Sequence, residues 1–192
     1  MKKIILDSKD ELNIYMNPVR QELLHILSIS KNPMTPKMLA DKLNISASGV
    51  QHHINKLVSL ELVELDHTEI INGIIAKYYK ASLVTVQIGL NRDDKTSSQR
   101  QALVQDSLAK TYDRFRTHMK EIADQKGTID EAILARWGDV LTGVLYLREE
   151  ESEELMKLIS SYIEKHSSPS FDKDAWEYAL IVYNTEEWRD RR

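Results

Sequence analysis

The chain has 192 residues, 42% apolar and 29% charged, with a formal net charge of -4 at pH 7. That composition fits an ordinary globular protein with room for one or two domains, and excludes a disordered or fibrous chain. It has no cysteine, which removes disulfides, thiolate nucleophiles and cysteine metal sites together and fits a reducing compartment.

The basic start MKK leads only to Ile4-Ile5-Leu6 before Asp7, far short of a signal-peptide core, and no apolar run approaches the ~20 residues of a membrane span. A cytoplasmic protein is expected. Residues 1–90 hold 10 Lys+Arg against 9 Asp+Glu, and the remainder 16 against 21. A polyanion must therefore be met by a local surface of the first half, because no general basic field exists.

Asn17-Pro18 places a cap and an N1 proline before Val19, Leu23, Leu24 and Leu27, a helical stripe that ends near Lys31-Asn32-Pro33. Thr35-Pro36 repeats the signal and opens a short helix with Met38, Leu39 and Leu43 inward. Asn44-Ile45 leaves room only for a sharp corner, and Ser46 caps a third helix to about Leu60. Two helices joined in this way form a helix-turn-helix. Strands are predicted from Leu62 and from Ile74 to Ala81. Between them Asn72-Gly73 signals a type I′ hairpin turn, in which both central residues need positive φ. A helix-turn-helix followed by a hairpin is a winged helix. Val84, Val86 and Ile88 alternate, as a further strand would.

The polar stretch Asn91 to Arg100 is expected as a linker or the start of the next helix, giving domains at residues 1–90 and 91–192. Val104, Leu108, Tyr112, Phe115, Met119 and Ile122 then recur at helical spacing to about Gln125. This is the stripe of a long amphipathic helix and the expected dimer interface. A short helix from Ile129 to Trp137, a strand from Val140 to Leu147, a helix from Glu149 to His166 with Leu155, Leu158, Ile159 and Ile163 inward, and a strand from Trp176 to Asn184 complete a small β-α-β module. The predicted fold class is α+β: an N-terminal winged helix-turn-helix, then the long helix and this C-terminal module.

On the 46–60 helix, Val50, Ile54 and Leu57 share the face that must meet a core. Ser48, Gln51, His52, Asn55 and Ser59 fall opposite. The adjacent His52 and His53 diverge by about 100°, and helical metal ligands are normally four residues apart, so no metal is expected at the pair. His53, at the edge of the buried stripe, is expected to be a structural residue bonded to backbone or to the preceding helix. The outward residues can bond base edges or phosphates, and Ser46 followed by Gly49 leaves the helix N-terminus free of acidic side chains for a phosphate to approach.

The segment NPVRQELLHIL...MTPKMLADKLNISASGVQHHINKLVSLELVEL...NGIIAKYYKAS resembles the winged-helix domain of the ArsR-like bacterial transcriptional regulators over roughly residues 12–82. The resemblance implies a base-reading face at Ala47, Ser48, Gln51, His52 and Asn55 and a wing contact around Asn72, Gly73 and Lys77. Gly49 stands where that family usually has Ser or Thr, and the thiolate metal-sensing motifs are absent. With Thr35, Ser46, Gly49 and Lys56 added, these residues make up the predicted DNA-binding set.

The expected function is sequence-specific DNA binding by a homodimeric repressor. Its partners are an operator duplex, a second copy and an effector of unidentified chemistry, without a cofactor. The alternative is a winged helix that binds protein instead; its recognition helix should carry apolar anchors, and this one does not. No Gly-rich phosphate loop, zincin motif or nucleophile elbow is present, so no enzyme is expected. His118 and Glu121 with Asp113 partly resemble the oxygen and nitrogen metal sites of some ArsR-like sensors, but five residues turn Asp113 about 140° from His118. A solvated face is expected there. Trp137, Trp176 and Tyr178 are read as core, with an effector pocket as the other use of such aromatics.

Overall fold

The computed structural model describes residues 2–6, 8–88, 96–127 and 130–185. Its first two elements lie outside the sequence expectation. Strand β1 (Lys2–Leu6) is followed by helix α1 (Lys9–Tyr15). A reciprocal capping box opens the helix: the Ser8 hydroxyl accepts from the Glu11 N–H at 3.1 Å, and the Glu11 carboxylate accepts from the Ser8 N–H at 2.9 Å.

The next three helices start where their caps predict. Helix α2 (Pro18–Ile29) is capped by Asn17, which accepts from the Val19 and Arg20 N–H groups at 3.1 and 3.2 Å. Helix α3 (Pro36–Leu43) is capped by the Thr35 hydroxyl, 3.2 Å from the Met38 nitrogen. It stops at Asn44, whose φ of 54° is a conformation asparagine tolerates. Helix α4 (Ala47–Ser59) is capped by Ser46, which accepts from the Gly49 N–H at 3.1 Å.

Strands β2 (Val63–Ile71) and β3 (Ile74–Ala81) form the predicted antiparallel hairpin. Asn72 and Gly73 at its tip have φ of 51° and 79°, as a type I′ turn requires. Met34 and Tyr79 exchange backbone hydrogen bonds of 2.8 and 2.9 Å, tying the base of the hairpin to the residues just before α3. The further strand, β4 (Val84–Ile88), also forms, yet it does not extend the hairpin. It pairs in parallel with β1, Lys2 opposite Val84 through to Leu6 opposite Ile88, as a separate two-stranded sheet.

One core unites these elements. Leu23 and Leu27 of α2, Leu39 of α3, Val50, Ile54 and Leu57 of α4, and Leu62, Val63 and Tyr79 of the hairpin are all buried. At roughly 1.5–3 kcal/mol for each fully buried aliphatic side chain, this core holds α4 in place. Leu6, Leu12 and Leu103 form a smaller buried cluster beside it.

The long helix α5 (Ser97–Lys126) begins inside the expected linker: Ser97 to Arg100 are its first residues, whereas residues 91–95 lie outside the described ones. Helix α6 (Glu131–Trp137) is capped by Asp130, and Ile129, its expected start, lies outside the described residues. Helix α7 (Glu149–His166) matches its predicted bounds, with three glutamates in its first turn as the helix dipole prefers. No helix among the described residues is long and apolar enough to cross a membrane.

The C-terminal module needs correction in its strands. Residues 140–147 and 176–184 carry no assigned strand. Their apolar runs have the right composition, but a strand exists only where a neighbouring backbone pairs with it, and none does so here among the described residues. Leu155, Ile159 and Ile163 of α7 are only half-buried, and Leu158 is 63% exposed, so the inward face expected for α7 is incompletely covered. The chain divides into two compact units, Met1–Val104 with Thr142–Ala175, and Gln105–Leu141 with Trp176–Arg192.

Candidate nucleic-acid interface

With Val50, Ile54 and Leu57 fully buried, the opposite face of α4 is forced outward. Ser46, Ala47, Ser48, His52, Asn55 and Lys56 are exposed, and Gly49 and Gln51 are half-buried. The Gln51 amide is already oriented: its Nε2 donates to Asn55 Oδ1 at 2.8 Å and to the Tyr79 hydroxyl at 3.2 Å. Tyr79 therefore serves twice, its ring in the core and its hydroxyl behind the outward face. With both Gln51 N–H groups donated in this way, the pair leaves the Gln51 Oε1 as an acceptor and the Asn55 Nδ2 as a donor, the two kinds of group that an adenine edge requires.

Gly49 has a local explanation. A Cβ there would sit 3.1 Å from the Ser46 hydroxyl oxygen, pressing on the group that caps the helix. The Ser46 hydroxyl also lies 3.3 Å from that of Ser48, so two hydroxyls mark the start of α4 and no acidic residue occupies its first turn. That end of the helix suits an anion.

An open groove of about 1030 Å³ runs along this face. Thr35, Ala47, Ser48, Gln51, Asn55, Asn72 and Lys77 of the predicted set line it, with Tyr78 and Tyr79. Ser46 and Gly49 sit at the N-terminus of α4 beside it, whereas His52 and Lys56 are exposed outside its lining, as is Gly73 at the turn. The sequence reading missed Tyr79 and Lys37 in the groove, and it placed Met38 inward, whereas Met38 is 43% exposed and lines the groove. A Tyr79 hydroxyl aimed at α4 follows from a long-range pairing that no local pattern encodes.

The wing's charges are mostly spent within the wing. The Lys80 ammonium reaches Asp66 at 2.8 Å and Glu64 at 3.3 Å. Lys80 and then His67 hold the Asp66 carboxyl below its usual range, and Asp66 and Glu64 in turn raise Lys80. The His67 ring stacks on Tyr78 across the hairpin, with centroids 4.4 Å apart. Lys77 is left as the exposed cation facing the groove. The tip itself is apolar: Ile70, Ile74 and Ile75 are 79%, 72% and 65% exposed.

His53 turns away from the groove. Its Nδ1 lies 3.3 Å from an Arg20 guanidinium nitrogen; arginine only donates, so Nδ1 accepts and the ring is neutral. Burial first, then Arg20 and His52, push its pKa down. Arg20 also donates through Nε to the Ile14 carbonyl and through Nη2 to the Asn13 carbonyl at 3.1 Å. The pair thus clamps the end of α1 to α4; His53 is half-buried as expected, but its contact differs from the expected ring N–H bond to backbone or to the preceding helix, since its Nδ1 accepts from Arg20 of α2.

Of the predicted dimer residues, Met119 and Ile122 are already buried within the chain, Val104, Leu108 and Phe115 are half-buried, and Tyr112 is 55% exposed. His118 lies against the Trp137 ring, with centroids 6.1 Å apart, while Asp113 pairs with Arg116 at 3.4 Å. Trp137, Trp176 and Tyr178 are 38%, 62% and 62% exposed. Trp176 and Tyr178 are therefore not core residues, because their run lacks a covering layer among the described residues, while Trp137 ends α6 and is covered only in part.

Comparison with known proteins bears on the first half. No curated protein matches the chain. The solved apo structure of the C30AH42A mutant of ZitR from Lactococcus lactis is 14% identical, over 81% of this chain and 86% of that one, at a TM-score of 0.32. A likeness of that size carries no inference. Residues 15–66 match the family described as a helix-turn-helix domain. That span runs from the end of α1 through α4 into β2, so the α3 and α4 side of the groove falls within the matched residues and the Ile71–Tyr79 side lies beyond them.

Proposed function

We propose that this chain is a sequence-specific DNA-binding transcriptional regulator of ArsR-like type, acting as a dimeric repressor, with α4 in the major groove and the β2–β3 wing on the flanking backbone. Residues 1–90 form the DNA-binding domain, and residues 91–192 the dimerisation and effector domain. The observation that carries the reading is the Gln51–Asn55–Tyr79 arrangement: outward amides held in one orientation on a helix whose N-terminus is free of acid. An α-helix fits the major groove, and a bidentate amide there discriminates bases. Repression is the default within this reading, because an operator-bound dimer can block polymerase without further machinery.

Selection of bound fragments from the protein's own genome tests the proposal. The expected result is a reproducible motif with two half-sites about one DNA turn, roughly 34 Å, apart. Fragments recovered without sequence preference would overturn it. The isoleucine-rich wing tip supports a second reading, a winged helix that docks an apolar protein surface. In that case the selection finds no motif, and replacing Ile74 and Ile75 with serine abolishes partner capture.

A further inference from the structure

Two runs of the C-terminal half differ from everything packed above. In residues 140–147, Leu141, Val144, Leu145 and Tyr146 are 69–94% exposed. In residues 176–183, Trp176, Tyr178, Ile181 and Tyr183 are 62–74% exposed. Among the described residues, the backbones of residues 141–147 and 178–183 make no hydrogen bond. An apolar run with unpaired N–H and C=O groups is a template for another strand. The second run is also anchored at its start. The Glu177 carboxylate accepts from Thr111 at 3.1 Å and from Arg114 Nε at 2.9 Å, with a further bond from Arg114 Nη2. A forked arginine–carboxylate pair of this kind fixes direction as well as position.

We infer that residues 140–147 and 176–183 are intermolecular β-strands, each completed by a second copy of this chain. The inference rests on the dimeric reading above and moves the seat of the dimer from α5 alone to these strands. What each run lacks is an apolar strand with free ladder positions, and the chain itself carries two of them.

The area suffices for such a partner. Tyr146, Trp176, Tyr178 and Tyr183 at about 200 Å² each, weighted by their exposures of 94%, 62%, 62% and 74%, offer roughly 600 Å² per copy. The aliphatic residues of the same runs carry the total past the ~800 Å² per partner of a stable interface. The stripe of α5 offers less, because Met119 and Ile122 are only 8% and 7% exposed. The helix between the runs, α7, adds Leu158 and Tyr162, 63% and 65% exposed, to the surface available for covering.

Hydrogen exchange on the full chain, read across a dilution series beside analytical ultracentrifugation, tests this. The expected result is a dimer whose amides at 141–147 and 178–183 are protected, with protection lost as the dimer dissociates. Ile181→Pro, which removes a ladder donor, should weaken self-association on the order of 100-fold while leaving exchange in α2 to α4 unchanged. A dimer with these amides unprotected overturns the inference and leaves the dimeric reading standing. A chain that is monomeric at every concentration overturns both. Protection that persists in the monomer shows that the runs pair within one chain and overturns the inference alone.

Discussion

The winged helix and residues 138–185 use similar apolar content to opposite effect. In the first, Leu23, Leu39, Val50, Ile54 and Leu57 are all fully buried, and their helices meet a hairpin whose backbone is paired along both strands. In the second, α7 has no buried residue, and the runs on either side of it are mostly exposed. The difference lies in where the partner surface is. Residues 17–81 contain both sides of their own core, so patterning becomes packing within a single chain. Residues 138–185 present an apolar surface that the other described residues leave mostly uncovered.

The sharpest way to break that comparison is to truncate one leucine in each region. Leu57→Ala should cost about 2–5 kcal/mol, the range for emptying a filled core position, and should lower the melting temperature accordingly. Leu180→Ala, measured at a concentration where the chain is monomeric, should cost under about 0.5 kcal/mol, as surface changes do. Equal losses by thermal denaturation would mean that Leu180 is packed within its own chain and that the contrast between the regions is false.

A smaller effect separates the two functions of α4, whose inner face packs and whose outer face reads. Gln51→Ala should lose about 1–3 kcal/mol of affinity for the selected site while non-specific binding stays constant. Because Gln51 also bonds the Tyr79 hydroxyl, Tyr79→Phe is the companion variant. It keeps the ring in the core and frees the amide, so it should reduce discrimination between sites more than it reduces stability. Titration of cognate and scrambled duplexes decides between them, and a parallel fall on both would assign Gln51 to phosphate or to structure.

The wing extends the same contrast to charge. Lys80 is engaged by Asp66 and Glu64, whereas Lys77 faces the groove. Lys77→Gln should weaken binding to all duplexes alike and reduce the salt slope by about one unit. Lys80→Gln should leave the slope nearly unchanged. A reversed result, from affinities measured across a salt series, would place the wing the other way round on the DNA.

How much of this was legible locally depends on how far apart the partners lie. Asn17-Pro18, Thr35-Pro36, Ser46 and Asn72-Gly73 each state a structure within four residues, and each forms as read. Ser8-Lys9-Asp10-Glu11 is an equally local signal, a capping box that could have announced α1. The parallel pairing of β1 with β4 was not legible, since Lys2 and Val84 are joined only through the fold. In the C-terminal runs the strand composition is plain, but composition does not name the neighbour that makes a strand. At the site, the outward face of α4 followed from 100° geometry alone, while the Tyr79 hydroxyl and the Arg20–His53 clamp needed contacts across 28 and 33 residues.

The smallest effect tests that clamp through pH. His53 is held neutral, its pKa lowered by burial and then by Arg20 and His52. The unfolded chain, with an ordinary value near about 6.5, therefore binds a proton in a range where the folded chain does not. Stability should be fully present above about pH 6.5 and should fall as the pH drops from there toward the lowered folded value, the direction opposite to that of a histidine paired with a carboxylate. His53→Gln keeps an acceptor for Arg20 and cannot titrate. The melting temperature of the parent chain should therefore decline more steeply than that of the variant as the pH falls below about 6.5, and the two curves should run parallel above neutrality. Curves parallel throughout would show that His53 titrates alike in both states, and that the contact with Arg20 places no electrostatic demand on the ring.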